Sequence, residues 1–180
     1  MRTTRGFTLL ELLVVVFIIG ILATMFTLAV GTAGGTDREL RREAERLQTL
    51  LGLALEDANF QSRDLGIRLF PERYEFSVFD LGPLVADESD DKWVVLNDEL
   101  LATHEVPAVF ELELEIEGRL VNLERSEKDV EKIYKPQVFI FSSGDFSDAF
   151  RIRIRSKEED RSYSLSVSQN GEVTLKKDDA

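Results

Sequence analysis

The 180-residue chain has no cysteine, one histidine, and 22 basic residues against 34 acidic ones. Each shortage closes something off. Without cysteine no disulfide can form, even in an oxidising compartment that would permit one, so the fold must hold by burial alone. With His104 as the sole imidazole, the inventory of nucleophiles, bases and metal ligands is poor. A net charge of −12 repels nucleic-acid phosphates and anionic lipid, so no nucleic-acid partner is expected. The last absence is local: residues 12–36 contain no charged side chain at all.

That uncharged run is long enough to matter. A helix crosses a bilayer core with roughly 20 apolar residues at 1.5 Å each. Residues 7–30 contain no proline, and Gly20 is the one weak point. Val14, Val15, Val16, Ile18 and Ile19 are poor helix formers in water. In hydrocarbon the backbone has no other hydrogen-bond partner, and helix wins. Arg2 and Arg5 place the short N-terminus in the cytoplasm and send the rest across. Arg2, Arg5 and Glu11 are the only charged residues before Asp37, so the acidic excess lies on the exported part. A conventional signal peptide cut near Gly31-Thr32-Ala33 is the competing account, but its apolar region would span about 7–15 residues, far fewer than here.

Glu11 stands just inside the apolar segment, where an acid costs a few kcal/mol. It can stay wet at headgroup level. Alternatively, a cut after the small Gly6 would give Phe7 a free α-amine four residues before Glu11. An ammonium and a carboxylate at that spacing can meet within one chain. They can equally pair between chains staggered along an axis, neutralising both inside an apolar bundle. The string Gly6-Phe7-Thr8-Leu9-Leu10-Glu11 resembles the class III signal sequence of type IV pilins and type II secretion pseudopilins. The resemblance implies a prepilin peptidase that cuts between Gly6 and Phe7 and N-methylates Phe7, with Glu11 setting register during assembly.

Beyond the apolar run, Gly31, Gly34 and Gly35 are positioned to bend or break the helix. Thr36 or Asp37 then offers an N-cap for an amphipathic stretch with Leu40, Ala44, Leu47, Leu51, Leu55 and Ala58 on one face. Leu50 and Leu53 widen that stripe, which predicts deeper burial toward its C-terminal end. After Gln61 the period changes to that of strands. Ile67 and Leu69 face Tyr74, Phe76 and Val78 across Pro71-Glu72-Arg73, a hairpin. Trp93-Val94-Val95-Leu96 reads as a short strand. Phe110, Leu112, Leu114 and Ile116 alternate with Glu111, Glu113, Glu115 and Glu117, and Gly118-Arg119 turns toward Leu120. Val138-Phe139-Ile140-Phe141 reads as a fully buried strand, Phe150, Ile152 and Ile154 alternate with arginines, and Asn170-Gly171 signals a type I′ turn between Tyr163, Leu165, Val167 and Val173, Leu175. Residues 124–135 are charged and read as a loop or short helix. The expectation is α+β: a long N-terminal helix packed on antiparallel sheets of seven to nine strands in all. It divides into a leader at 1–6, a membrane or filament-core helix at 7–30, an amphipathic helix at 31–61 and a periplasmic β domain at 62–180.

The remaining candidates for chemistry read as structure. His104 lies in a loop-like Thr103-His104-Glu105 setting. Ser142-Ser143-Gly144 lacks the glycines of a nucleophile elbow and reads as a turn, similar to the Ser-Gly turn late in H-type pseudopilins. Asp87-Glu88-Ser89-Asp90-Asp91 has carboxylates for calcium but not the EF-hand spacing or glycine, so it reads as a solvated loop. The glutamates of 111–117 form a solvated face or a negative ridge for a basic partner. Arg151, Arg153, Arg155 and Arg161 form the one basic stripe, broken by Glu158-Glu159-Asp160, and ion pairing outranks phosphate binding there. No catalytic residue, cofactor or metal is expected.

Taken whole, the chain resembles the minor pseudopilins of the H type in type II secretion systems. That implies a non-enzymatic subunit at or near the tip of a periplasmic pseudopilus that drives export across the outer membrane. It implies partners among the other minor and major pseudopilins, the prepilin peptidase and the inner-membrane secretion platform. The neighbouring reading is a minor pilin of a type IV pilus, serving motility, adhesion or DNA uptake. A signal-anchored periplasmic enzyme or binding protein is the reading from another class.

Overall fold

A computed structural model describes residues 9–80, 93–123 and 135–178, with the side chains of 23–34 left aside. The acidic run at 87–91 and most of the charged stretch at 124–135 therefore lie outside the described residues, as do Gly6 and Phe7. The chain forms two compact units, Met1–Arg38 and Glu39–Ala180. Helix α1 runs Leu9–Gln61 and is helical through Gly31, Gly34 and Gly35, where the sequence allowed a break.

Within the second unit, Leu40, Ala44, Leu47, Leu51, Ala54 and Ala58 are fully buried. Their spacing alternates four and three, which keeps one narrow seam against the sheets. Ala54 takes the place expected for Leu55, which is only partly buried. The expected deepening toward the C-terminal end holds as far as Ala58: from 50 to 58 only Glu56 is exposed, and Leu53 and Leu55 pack part-buried against the core. It stops there, and Phe60, on the helix face turned away from the seam, is 91% exposed.

Among the described residues ten strands follow, in two antiparallel sheets. The first contains β1 (Leu65–Leu69), β2 (Arg73–Phe79), β3 (Trp93–Val95), β4 (His104–Glu105) and β7 (Val138–Ile140), in the order β3-β2-β1-β7 with β4 also on β2. The second contains β5 (Phe110–Ile116), β6 (Arg119–Val121), β8 (Phe150–Ser156), β9 (Ser162–Val167) and β10 (Val173–Lys177), ordered β10-β9-β8-β5-β6. The predicted β1–β2 hairpin is present, with Leu69 opposite Tyr74. β4 was not expected: two residues give no alternation to read. One core joins the α1 seam to Ile67, Phe76 and Val138 of the first sheet and to Leu112, Ile152 and Leu165 of the second. Each such side chain contributes about 1.5–3 kcal/mol on leaving water.

Two local readings need correction. β7 is not fully buried: Val138 and Ile140 are, but Phe139 is half-buried and Phe141 is 42% exposed. The strand alternates, with Val138 and Ile140 in the core and Phe139 on the opposite face beside Trp93. Its pairing with β1 is extended by a side chain. The Gln137 carboxamide accepts from Leu69 N–H (2.8 Å) and donates to Leu69 C=O (2.9 Å), standing in for a strand residue. Second, Asn170-Gly171 does not make a type I′ turn. The Ser168 carbonyl accepts from Gly171 N–H (3.1 Å), and only Gly171 takes positive φ (87°). This is a type I turn with a left-handed glycine closing a bulge. The type I′ geometry occurs at Glu117-Gly118, both at positive φ (48° and 78°), between the paired Ile116 and Arg119. The close packing of β1 depends on Gly66, where a Cβ would fall 2.2 Å from Pro136 Cγ.

Candidate functional site

The N-terminal unit is built as nothing else in the chain is. Every described side chain from 9 to 22 is exposed, and the large apolar ones range from Val14 at 44% to Leu9 at 88%. They surround the helix on all sides, so no rotation about its axis presents a polar face to water. Such a helix belongs in hydrocarbon or in a bundle of its own kind. Glu11 lies exposed in the first described turn of α1, where the helix dipole favours an acid. Its proposed partner, the α-amine of Phe7, lies outside the described residues. Among the described residues no helix is long and apolar enough to cross a membrane. Of the apolar run, side chains are described only for 9–22.

The folded unit turns its charges on one another. β5 and β8 pair in register, Glu111 opposite Arg155, Glu113 opposite Arg153 and Glu115 opposite Arg151. Their side chains meet at 3.2, 3.5 and 3.5 Å, and Arg155 also reaches Glu113 at 3.3 Å. The negative ridge and the basic stripe read from sequence are therefore one neutralised ladder, with neither charge left as a continuous face for a partner. Arg161 is paired separately, with Glu159 at 3.1 Å. At the ladder's margin Asp178 accepts from the Ser162 and Ser164 hydroxyls (2.6 and 2.8 Å) and lies 3.3 Å from Arg153. Burial alone would raise its carboxyl, but those hydroxyls and the guanidinium outweigh burial and hold it below the usual carboxylate range.

His104 is not a loop residue at the surface. It sits on β4 opposite Tyr74, its ring 5.2 Å from the Tyr74 ring, and its Nε2 lies 2.9 Å from Glu43 Oε2 on α1. Both side chains are largely covered, so this contact fastens the amphipathic half of α1 to the first sheet. The Tyr74 hydroxyl beside it is buried without a well-formed hydrogen bond among the described residues. Burial pushes it well above the ordinary phenol range, against the pull of the nearby Arg46 charge. Ser142-Ser143-Gly144 is a turn, as read. Gly144 N–H donates to Phe141 C=O, Ser142 N–H donates to Asp64 (2.8 Å), and the Ser143 hydroxyl is taken up by Asp145 (3.0 Å). No nucleophile–base pair is assembled at that turn, where the serine neighbours are aspartates. Among the described residues, no three of His, Cys, Asp or Glu converge as metal ligands.

Residues 1–27 match the family described as the prokaryotic N-terminal methylation motif. The chain is 37% identical over 170 residues to type II secretion system protein H of Pseudomonas aeruginosa, covering 92% of each. It is 33% identical to the protein of the same name from Aeromonas hydrophila, covering 97% of this chain and 94% of that one. The chain belongs to the type II secretion system protein H family. The fold agrees: the minor pseudopilin EpsH of Vibrio cholerae superposes with a TM-score of 0.60 at 22% identity, over 77% of this chain and 93% of that one. The solution structure of Escherichia coli GspH gives 0.57 at 16% identity, over 79% and 90%. The family is one of structural pseudopilins, its α+β fold is pilin-like, and the methylation motif implies membrane anchoring. Membership also favours secretion over the pilus reading. Sequence reasoning missed the Glu43–His104 fastening, because two residues 61 apart carry no shared pattern. It also missed the exposure of Phe60, although Phe60 falls off the stripe that ends at Ala58.

Proposed function

We propose that the chain is cut between Gly6 and Phe7, that the new Phe7 amine is N-methylated, and that Glu11 then sets register between neighbouring subunits. Residues 1–6 are the leader. Residues 7–30 are a single membrane-spanning helix, oriented with the N-terminus in the cytoplasm, that later becomes filament core. Residues 62–180 fold in the periplasm. The chain does no chemistry of its own. It takes its place among other minor and major pseudopilins at or near the tip of a pseudopilus, after contact with the prepilin peptidase and the inner-membrane platform. The observation that carries this reading is a methylation motif opening a helix that is apolar on every side and holds one acid in its first described turn.

The test is intact mass and N-terminal sequencing of the protein from its native membrane. The expected species begins at a methylated Phe7. A chain that keeps Met1, or that begins beyond Thr32, overturns the proposal. Replacing Glu11 by alanine should leave the folded unit intact and abolish incorporation into filaments.

A further inference from the structure

At the C-terminal end of α1 the folded unit has a groove of about 950 Å³. Leu55 and the buried Leu101 form its floor, and Phe60 and Leu100, 91% and 63% exposed, form its lips. The Ser143-Gly144 turn closes one side. Two large apolar side chains held this far into water flank a concave apolar surface, the arrangement of an interaction site and not of a finished surface.

The rim chooses among partners. Among the described residues, four acids line the groove, Glu56, Asp57, Asp98 and Glu99, and no basic residue does. Asp57 is already matched by Arg63 at 2.6 Å, and Asp98 caps its own turn by accepting from the Leu100 and Leu101 N–H groups. Glu56 and Glu99 make no ion pair or side-chain hydrogen bond among the described residues, and both are exposed. On the β5–β8 face of the same unit, Glu111, Glu113 and Glu115 each meet an arginine. Where the chain leaves acids unmatched beside exposed apolar surface, the complementary charge must come from outside. A second copy of this groove would bring its own acids against these and is disfavoured.

We infer that this groove docks a segment of another protein in which bulky apolar side chains are flanked by lysine or arginine. The apolar group would cover Phe60 and Leu100 while the cations met Glu56 and Glu99. This inference does not depend on how the N-terminus is processed.

The test uses the full chain in phosphatidylcholine nanodiscs, with empty discs as baseline, and labelled hexapeptides read by fluorescence anisotropy. Lys-Lys-Phe-Leu-Lys-Lys should bind. Lys-Lys-Ser-Ser-Lys-Lys and Glu-Glu-Phe-Leu-Glu-Glu should each bind at least tenfold more weakly, since each lacks one half of the match. Phe60→Ser should weaken binding about tenfold, and the Glu56→Gln, Glu99→Gln pair about fivefold. Glu158→Gln with Asp160→Asn, acids outside the groove, should leave it unchanged. All these positions are exposed or half-exposed, and unchanged thermal unfolding would confirm that each variant folds. Equal weakening by the Glu158 and Asp160 changes, or indifference to Phe60→Ser, would reduce the binding to diffuse charge attraction and overturn the inference. Self-association lost on Phe60→Ser would overturn it in favour of a second copy.

Discussion

Residues 9–22 and 40–58 of α1 share a secondary structure and differ in everything else. In the first stretch every described side chain is exposed. In the second, Leu40, Leu47 and Leu51 are completely buried while Arg41, Arg42 and Glu45 face water. The amphipathic stretch obtains its stability from its own chain, by packing one face on two sheets. The apolar stretch obtains none from its chain and must find it in lipid or in other subunits. A helix can therefore be folded and still be unfinished. The contrast separates what this chain does alone from what it does in company.

The sharpest way to break that comparison is to truncate one large apolar side chain in each stretch. Leu47→Ala should lower the stability of the folded unit by about 2–5 kcal/mol, measured by denaturant unfolding of the full chain in detergent with Trp93 fluorescence as probe. Phe17→Ala, by contrast, should shift that transition by less than about 0.5 kcal/mol. A large loss from Phe17→Ala would mean that the apolar stretch supports the domain after all. Next in size, Gly66→Ala should cost about 1–3 kcal/mol, because its Cβ would meet the Pro136 ring at 2.2 Å. A neutral result would show that the 136–140 segment shifts easily.

Acid sharpens the comparison from the charged side. The Asp178 carboxyl titrates below its ordinary 3.8. Its contribution is thus complete above that pH and is lost as pH falls through the lower, folded value. Asp178→Asn should flatten the decline of stability below pH 3.8 and leave the slope above it unchanged. An unchanged acid limb would show that the Ser162 and Ser164 hydroxyls hold the carboxyl no better than water does. The smallest effect belongs to the ladder. Arg151→Met, at a rung 3.5 Å long and half in solvent, should cost about 1 kcal/mol or less, and the difference should vanish in high salt. A salt-independent loss would reveal that the arginine stem packs on the sheet.

The N-terminal methylation motif was legible in sequence because its pattern is local. The order Gly6-Phe7-Thr8-Leu9-Leu10-Glu11 and the uncharged run after it need no tertiary partner to be read. The β1–β2, β5 and β8–β10 strands were legible for a similar reason, since period-two alternation shows wherever one face is dry. Reading failed where a residue's surroundings come from far along the chain. His104 looked like a loop residue because Glu43 and Tyr74, which cover it, come from α1 and β2. Asn170-Gly171 carried the usual type I′ signal. Yet a Cβ at Gly171 would lie 2.5 Å from Leu55 Cδ2, so the hairpin packs on the helix and takes the bulged form.

By itself, then, the sequence determined the class of the molecule: an apolar helix with a single acid, an amphipathic continuation, and alternating strands without disulfides. Those are properties of spacing along one chain, and spacing survives without a fold. Only the tertiary structure decided which charges cancel. Glu111, Glu113 and Glu115 meet their arginines because β5 lies beside β8 in one register, and a slip of one residue would have turned one of the two sets to the core face. It decided too that Leu100 comes to the same groove as Phe60, on the face that α1 turns away from its buried seam.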